Sequence, residues 1–280
     1  MSKILFPNGR DFQHGRFICL YLGLTGQALS LKQLTGFVTQ LTNSFVSSSL
    51  QSYDFFNSFI RLSMNYHKTK TKVLLPIAYL PAVEYFAYLA NAYEAVLELH
   101  ETYPRQSWRN RCSIMTANGT LDLIIPVNKP DGNHSKTGNV LISDHENWQK
   151  KHWRSIVSAY NKAPYFFYYR DLLSPFFESK QPPKLWEFNL AMLRAVMDEL
   201  NLITNIRHSE SYNHISNDAL DLREILTPKT HRRPVHTRIE WPVYQQVFSD
   251  RHGFSANLSI IDLLFNIGPD SKGYLENLRL

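Results

Sequence analysis

Hydrophobic and polar positions change their spacing near residue 72, and from there short apolar runs alternate with helical stripes. Val73-Leu74-Leu75, closed by Pro76, has the continuous apolar character of a strand buried on both faces. Pro81 suits a first helical turn, and Tyr85, Phe86, Leu89 and Tyr93 fall at helical spacing, predicting a helix over Val83–Tyr93. Ala95–Leu99 then reads as a second strand, so the region opens with a βαβ unit, the unit that builds parallel sheets. Cys112–Met115 and Leu121–Val127 flank Asn118-Gly119, a strong hairpin signal, which predicts an antiparallel pair.

Farther along, Trp148, His152, Ile156 and Tyr160 share one stripe of a helix over Trp148–Tyr160, stopped by Lys162-Ala163-Pro164. A second amphipathic helix covers Leu185–Leu200, and Asn201–Ile206 returns as a strand. Asn257–Asp262 opens a last helix through Leu264, ended by Asn266-Ile267-Gly268-Pro269. There Ser259 and Asp262 have capping-box spacing, with Asp in place of Glu or Gln. The expected fold class is α/β: a three-layer mixed sheet opening with a βαβ unit, with an antiparallel hairpin and flanking helices.

Residues 1–71 read differently. They are basic, acid-poor and rich in Ser, Thr, Gln and Asn. Three readings stay open: a targeting or disordered extension, a small accessory module, or an extension ahead of a native start at Met64, the reading favoured here. The partial helical spacing of Leu29, Leu31, Leu34, Phe37, Val38 and Leu41 keeps the module in play. The domain proper spans residues 72–280.

Composition changes the picture mainly through charge. The chain carries +6, but residues 1–70 hold seven Lys/Arg and two acids, so the domain carries only about +1. A phosphate-tracking surface needs a basic excess on the folded part, and this argues against nucleic acid as partner. No apolar run reaches the ~18 residues of a membrane span. Two cysteines, Cys19 and Cys112, with no metal-ligand spacing, fit a reducing compartment, the cytoplasm, and no metal site. The residues do not identify a cofactor.

Among candidate chemistry, the turn after the first strand is where open α/β sheets bind ligands, and Tyr79 and Glu84 are its polar groups. It lacks the glycines of a phosphate cradle. Arg109-Asn110-Arg111, with Gln106 and Trp108 alongside, could clamp an anion, since both arginines share a face in extended structure. The alternative is a pair of surface salt bridges to Glu98 or Glu101. His152, with Ser155 one turn on, could act as a general base or be a packed core histidine. Asp262 could hold an amine or cap its helix, while Asn257 and Asn266 could reach a ligand or merely bound that helix. Cys112 follows Arg111 but reads as a small buried hydrophobe. His231, Arg232, Arg233 and His236 read as a solvated basic loop.

Three passages carry a family look: Leu74–Pro81 with Glu84-Tyr85-Phe86; Gln106–Cys112 with Ala117-Asn118-Gly119 and Ile125-Pro126-Val127; and Asn257–Asn266. Trp148, Ser155 and Tyr160–Phe166 add a segment of the same type. Together residues 72–280 resemble the WbqC-like family of bacterial polysaccharide-locus proteins. The resemblance implies a transferase in O-antigen or other surface-polysaccharide (lipopolysaccharide) synthesis, with glycine transfer to an activated sugar as one form. The substrate would be a small molecule such as a nucleotide-activated sugar. Glu84, Tyr79 and His152 are the catalytic candidates. Gln106, Trp108, Arg109, Asn110, Arg111, Asn257, Asp262 and Asn266 are the substrate-binding candidates. A non-catalytic binding subunit and a nucleotidylyltransferase-like enzyme, the latter without its HxGH histidines, remain as alternatives.

Overall fold

A strand in the middle of a parallel sheet must bury both faces, and β1 (Thr71–Pro76) does so from Val73 onward. It pairs in parallel with β2 (Ala92–Glu98), Leu75 opposite Leu97, across the helix α1 (Val83–Ala90). The computed structural model describes residues 71–144, 147–179, 183–212, 218–228 and 239–280. The expectations for residues 1–70 and for the basic cluster His231, Arg232, Arg233 and His236 lie outside the described residues.

Every residue of α1 is buried, as in a helix wrapped by core on all sides. It stops at Ala90 instead of reaching Tyr93, because Asn91 closes it with two bonds to the Ala87 carbonyl. β2 accordingly begins at Ala92, and Tyr93, expected on the helix, is an outward strand position. β7 (Asn205–His208) adds to the outer edge of β2, and β8 (Leu220–Asp221) to the other side of β1, giving the all-parallel order β7-β2-β1-β8. The expected strand at Asn201 starts four residues later. Asn201 is left-handed (φ +51°), and the buried Thr204 hydroxyl donates to the Leu89 carbonyl at 2.6 Å.

The expected hairpin is present as β3 (Arg111–Thr116) and β4 (Gly119–Ile124), with Gly119 at φ +104°. β4 ends before Pro126, and Val127 belongs instead to β5 (Val127–Asn128), which pairs antiparallel with β6 (Leu141–Ile142). The mixed character of the fold therefore lies in a parallel central sheet with antiparallel pairs beside it.

Helices flank the sheet: α2 (Trp148–Tyr160), α3 (Phe166–Leu173), α4 (Pro175–Glu178), α5 (Leu185–Glu199), α6 (Ser249–His252), α7 (Ile260–Ile267) and α8 (Ser271–Asn277). α8 packs on α1, α7 on α3 and α1, and α2 on α4 and β3. One core joins β1, α1, the hairpin and these helices around Tyr79, Phe86, Tyr160, Phe188 and Phe265. α7 starts at Ile260 and runs to Ile267, three residues beyond the expected Leu264. The capping box does not form. Ser259 sits at the cap, but its hydroxyl donates to the Leu80 carbonyl (2.8 Å), and no side chain caps the helix. Among the described residues, no helix is long and apolar enough to cross a membrane.

Candidate functional site

Backbone pairing brings distant segments to the carboxyl end of β1. The Val83 N–H donates to the Leu258 carbonyl (2.9 Å), Ile260 N–H to Pro81 (2.8 Å), Ser259 N–H to Ser113 (2.9 Å) and Tyr79 N–H to Trp108 (2.9 Å). The chain after β1, the turn before β3 and the loop before α7 thus converge. Between them lies a small cleft with room for about one water (about 10 Å³), lined among others by Tyr79, Trp108, Arg111, Asn257 and Ser259. Open α/β sheets bind ligands at this edge.

Three non-glycine residues in these segments adopt left-handed backbone: Leu80 (φ +37°), Gln106 (φ +52°) and Asn257 (φ +56°). Leucine is an unusual occupant of that region, and such strain persists only where the surroundings impose it. The Ser259 hydroxyl on the Leu80 carbonyl and the burial of the Leu80 side chain supply that restraint.

Of the catalytic candidates, Tyr79 and His152 meet. The Tyr79 hydroxyl lies 3.0 Å from His152 Nδ1, with Trp148 edge-on to the imidazole at 5.1 Å. Burial lowers the His152 pKa to about 4, against a small upward pull from the Ile124 carbonyl. With its pKa that low the imidazole is neutral at physiological pH, and the tautomer sets which of Tyr79 and His152 donates across the contact. Ser155 is not its companion: that hydroxyl donates to the Lys151 carbonyl (3.0 Å). Glu84, 1% exposed, lies in the first turn of α1 against Asn257, which takes the Glu84 N–H and donates to its carboxylate, each at 2.9 Å. Leu258 and Asn257 thereby close the amino end of α1, which is not open to a phosphate.

Arg109 and Arg111 do not share one extended run. Arg109 lies buried in the turn before β3, and its Nε donates to Glu101 (2.8 Å), with Nη2 closer still to the same oxygen. Glu101 is one of the two partners the sequence offered, but the pair is buried rather than on the surface, and it takes Arg109 alone. Burial raises the Glu101 pKa, and Arg109 opposes it. Arg111 opens β3, keeps Nη1 3.7 Å from Asp122, and is the arginine that lines the cleft. Trp108 lines it too, half-buried, while Gln106 is exposed on its turn. Asn110 bridges to the Ile125 carbonyl (2.8 Å) and holds the hairpin base.

Asp262 and Asn266 lie away from the cleft lining. The fully buried Asp262 carboxylate accepts from Tyr160 (3.0 Å), Tyr244 (2.7 Å) and Gln246 Nε2 (2.8 Å), so it is the hub of a core network rather than a cap. Asn266 donates to the Asp262 carbonyl within the helix (2.7 Å). Cys112 is buried, and burial pushes its thiol pKa far up, leaving it unreactive.

At the carboxyl end of β2, Glu98, which the sequence offered as a partner for Arg109 or Arg111, has other partners. Glu98, 1% exposed, accepts from the His100 N–H (2.7 Å) and the Ser209 hydroxyl (2.9 Å), and lies 3.5 Å from Arg223, itself held by Asp221. The pairing of Glu98 with Arg223 was missed, since β8, which leads to Arg223, is only two residues long. Among the described residues, no group of three or more His, Cys, Asp or Glu is placed to hold a metal.

Comparison with known proteins follows the same segments. The model of the WbqC-like protein family matches residues 77–234. The chain is 27% identical over 224 residues to "Uncharacterized protein Rv1507c" of Mycobacterium tuberculosis, covering 72% of this chain and 95% of that protein. No solved structure matches. The family match includes the β1 turn and the β3 turn but ends before the loop at Asn257, which packs against both.

Proposed function

The chain belongs to the WbqC-like protein family, and on that premise we propose a cytoplasmic transferase acting on an activated sugar in surface-polysaccharide synthesis, with an aminoacyl group such as glycine as the transferred unit. The observation that carries this reading is the cleft at the carboxyl end of β1, where Trp108, Arg111 and Asn257 meet from separate parts of the chain. In this reading Arg111 takes the anionic end of the substrate. Trp108 offers an apolar face to a sugar ring. Tyr79, backed by neutral His152, is the acid–base candidate, and Glu84 is aimed by Asn257. Arg109, fastened to Glu101, positions the turn that carries Trp108 and Arg111.

A second reading, a binding subunit without turnover, is favoured by one observation. Tyr79 is fully buried, and His152 Nδ1 already faces it, so neither presents a free base to solvent. The nucleotidylyltransferase alternative gains no support from the closed amino end of α1.

The test is thermal unfolding of the full chain with nucleotides, nucleotide-sugars, amino acids and aminoacyl donors. A ligand at a hundred times its Kd adds about 2.7 kcal/mol of stability. Selective stabilisation by a nucleotide-sugar, lost in Arg111→Ala and Trp108→Ala, is expected, followed by turnover with an acyl donor. Binding without turnover selects the second reading. A flat screen over a folded protein overturns both.

A further inference from the structure

A strand at the edge of a sheet leaves half of its backbone N–H and C=O groups without a ladder partner, and proteins cover, charge or use such an edge. Among the described residues β7 is one: it pairs with β2 on one side only. The Ser209 N–H, just past β7, donates to the Leu97 carbonyl at 2.9 Å. Backbone groups alternate in direction along a strand, so Ile206 and His208 turn their N–H and C=O groups away from β2. In the parallel register Ile206 stands beside Ala95 and His208 beside Leu97, which places both side chains on the sheet face toward α5. There α5 sets Trp186, Leu190 and Arg194 in one stripe at four-residue spacing. The Trp186 ring meets His208 edge-on at 6.1 Å. A shallow groove floored by Leu97 and Leu99 separates that stripe from the free edge, with room for about one water (about 20 Å³). Its form suits an extended strand laid along it, not an enclosed small molecule.

Charge decides what kind of strand fits. Arg194, Arg207 and His208 line the groove, and among the described residues no Asp or Glu does. Arg207 is 67% exposed even with Glu94 at 3.5 Å from its Nε. A second copy is a poor occupant. Two fully overlapped antiparallel β7 strands would pair Ile206 with His208 and set Arg207 against Arg207, and like charges directly opposite destabilise a sheet. Residues 1–70 of the chain itself hold seven Lys/Arg and two acids, the same sign as the groove. We propose that the groove between β7 and α5 docks an extended acidic segment of a partner protein, which adds to the sheet as a strand outside β7. Its backbone pairs with Ile206 and His208, an apolar side chain rests on Trp186 and Leu190, and carboxylates meet Arg194 and Arg207. This surface does not depend on the transferase reading, which concerns the cleft after β1.

The test titrates the full chain into two fluorescently labelled eight-residue peptides, one alternating Glu and Val and one alternating Lys and Val, and follows anisotropy. The Glu–Val peptide binds saturably and more weakly as salt rises, and the Lys–Val peptide binds at least tenfold less well. Ile206→Pro removes an N–H that the sheet does not use, and proline is tolerated on edge strands. This variant is expected to unfold near the wild-type Tm while its affinity for the Glu–Val peptide falls roughly tenfold, the equivalent of about 1.4 kcal/mol. If Ile206→Pro does not fold, the exposed Arg194→Glu carries the test: it keeps the Tm, binds the Glu–Val peptide roughly tenfold less well and turns the preference toward Lys–Val. Three results overturn the docking surface: no binding of the Glu–Val peptide, equal binding of both peptides, or a folded variant that binds like the wild type. Dimerisation of the wild type that disappears in Ile206→Pro gives the edge to a second copy and overturns the acidic partner too. Nucleotide-sugar binding at the other site is measured separately, so either proposal can fail while the other stands.

Discussion

Glu84 and Asn257, 173 residues apart, hold each other through two hydrogen bonds of 2.9 Å, one to the Glu84 backbone N–H and one to its carboxylate. The pair fastens the first turn of α1 to the loop before α7, and with it one wall of the cleft to another. Asn257 does this from left-handed backbone (φ +56°), a region asparagine tolerates better than most residues.

Asn257→Asp replaces the donor amide with a carboxylate facing Glu84. Like charges then oppose across a buried contact, so the variant loses stability at pH 7 and regains part of it near pH 4, where one carboxyl protonates. Asn257→Ala should cost about 1–3 kcal/mol with no such recovery. Urea unfolding at the two pH values separates the two variants, and matching pH profiles would remove the direct contact.

His152 makes stability depend on pH in a fixed direction. Its pKa is about 4 when folded against 6.5 for an unperturbed histidine, so between those values the unfolded chain binds the extra proton and stability rises with pH. The contribution is complete above about 6.5 and is lost as pH falls toward 4, at most about 3 kcal/mol. His152→Gln is expected to be less stable at pH 8 yet flatter across this window. A variant profile as steep as the wild type would assign the dependence to other groups.

Asp262 anchors three donors, so Asp262→Ala should cost about 3–5 kcal/mol by stranding buried hydroxyls, well above the ~1 kcal/mol of a lost cap. A double-mutant cycle with Tyr244→Phe should show coupling, because the two side chains are 2.7 Å apart. A helix cap would show none.

Gly268 ends α7 at φ +56°, and a Cβ there would lie 2.5–2.7 Å from three Tyr165 ring atoms. Left-handed backbone and the clash together should make Gly268→Ala cost about 2–4 kcal/mol. In a Tyr165→Ala background the clash disappears and the penalty should fall to the backbone part. An equal penalty in both backgrounds would rule out the ring contact.

Arg109→Ala removes one partner of a buried pair and should destabilise by about 3–5 kcal/mol. It is therefore a poor probe of binding, and Arg111→Ala, whose partner Asp122 is partly exposed, should bind less while unfolding near the wild-type Tm. A fully stable Arg109→Ala would deny the ion pair its structural role.

Local spacing along the chain determined much of this molecule. The apolar run at Val73–Leu75 specified the first strand, Asn118-Gly119 the hairpin, and the stripe from Trp148 to Tyr160 its helix to the residue. Period and turn chemistry are properties of neighbouring residues, so a single sequence carries them. Tyr93 shows where they end: its spacing from Leu89 fits a helix, and only the pairing of β2 with β1 makes it an outward strand position. Side-chain partnerships were decided by the tertiary structure. Asp262 has capping spacing to Ser259, but Tyr160, 102 residues away, and Tyr244 claim its carboxylate. Arg109 and Arg111 look alike in the sequence, and Glu101 takes one while the cleft keeps the other. A buried charge takes the partner that the packed chain brings within about 3 Å, and that distance is set by the whole fold rather than by the residues beside it.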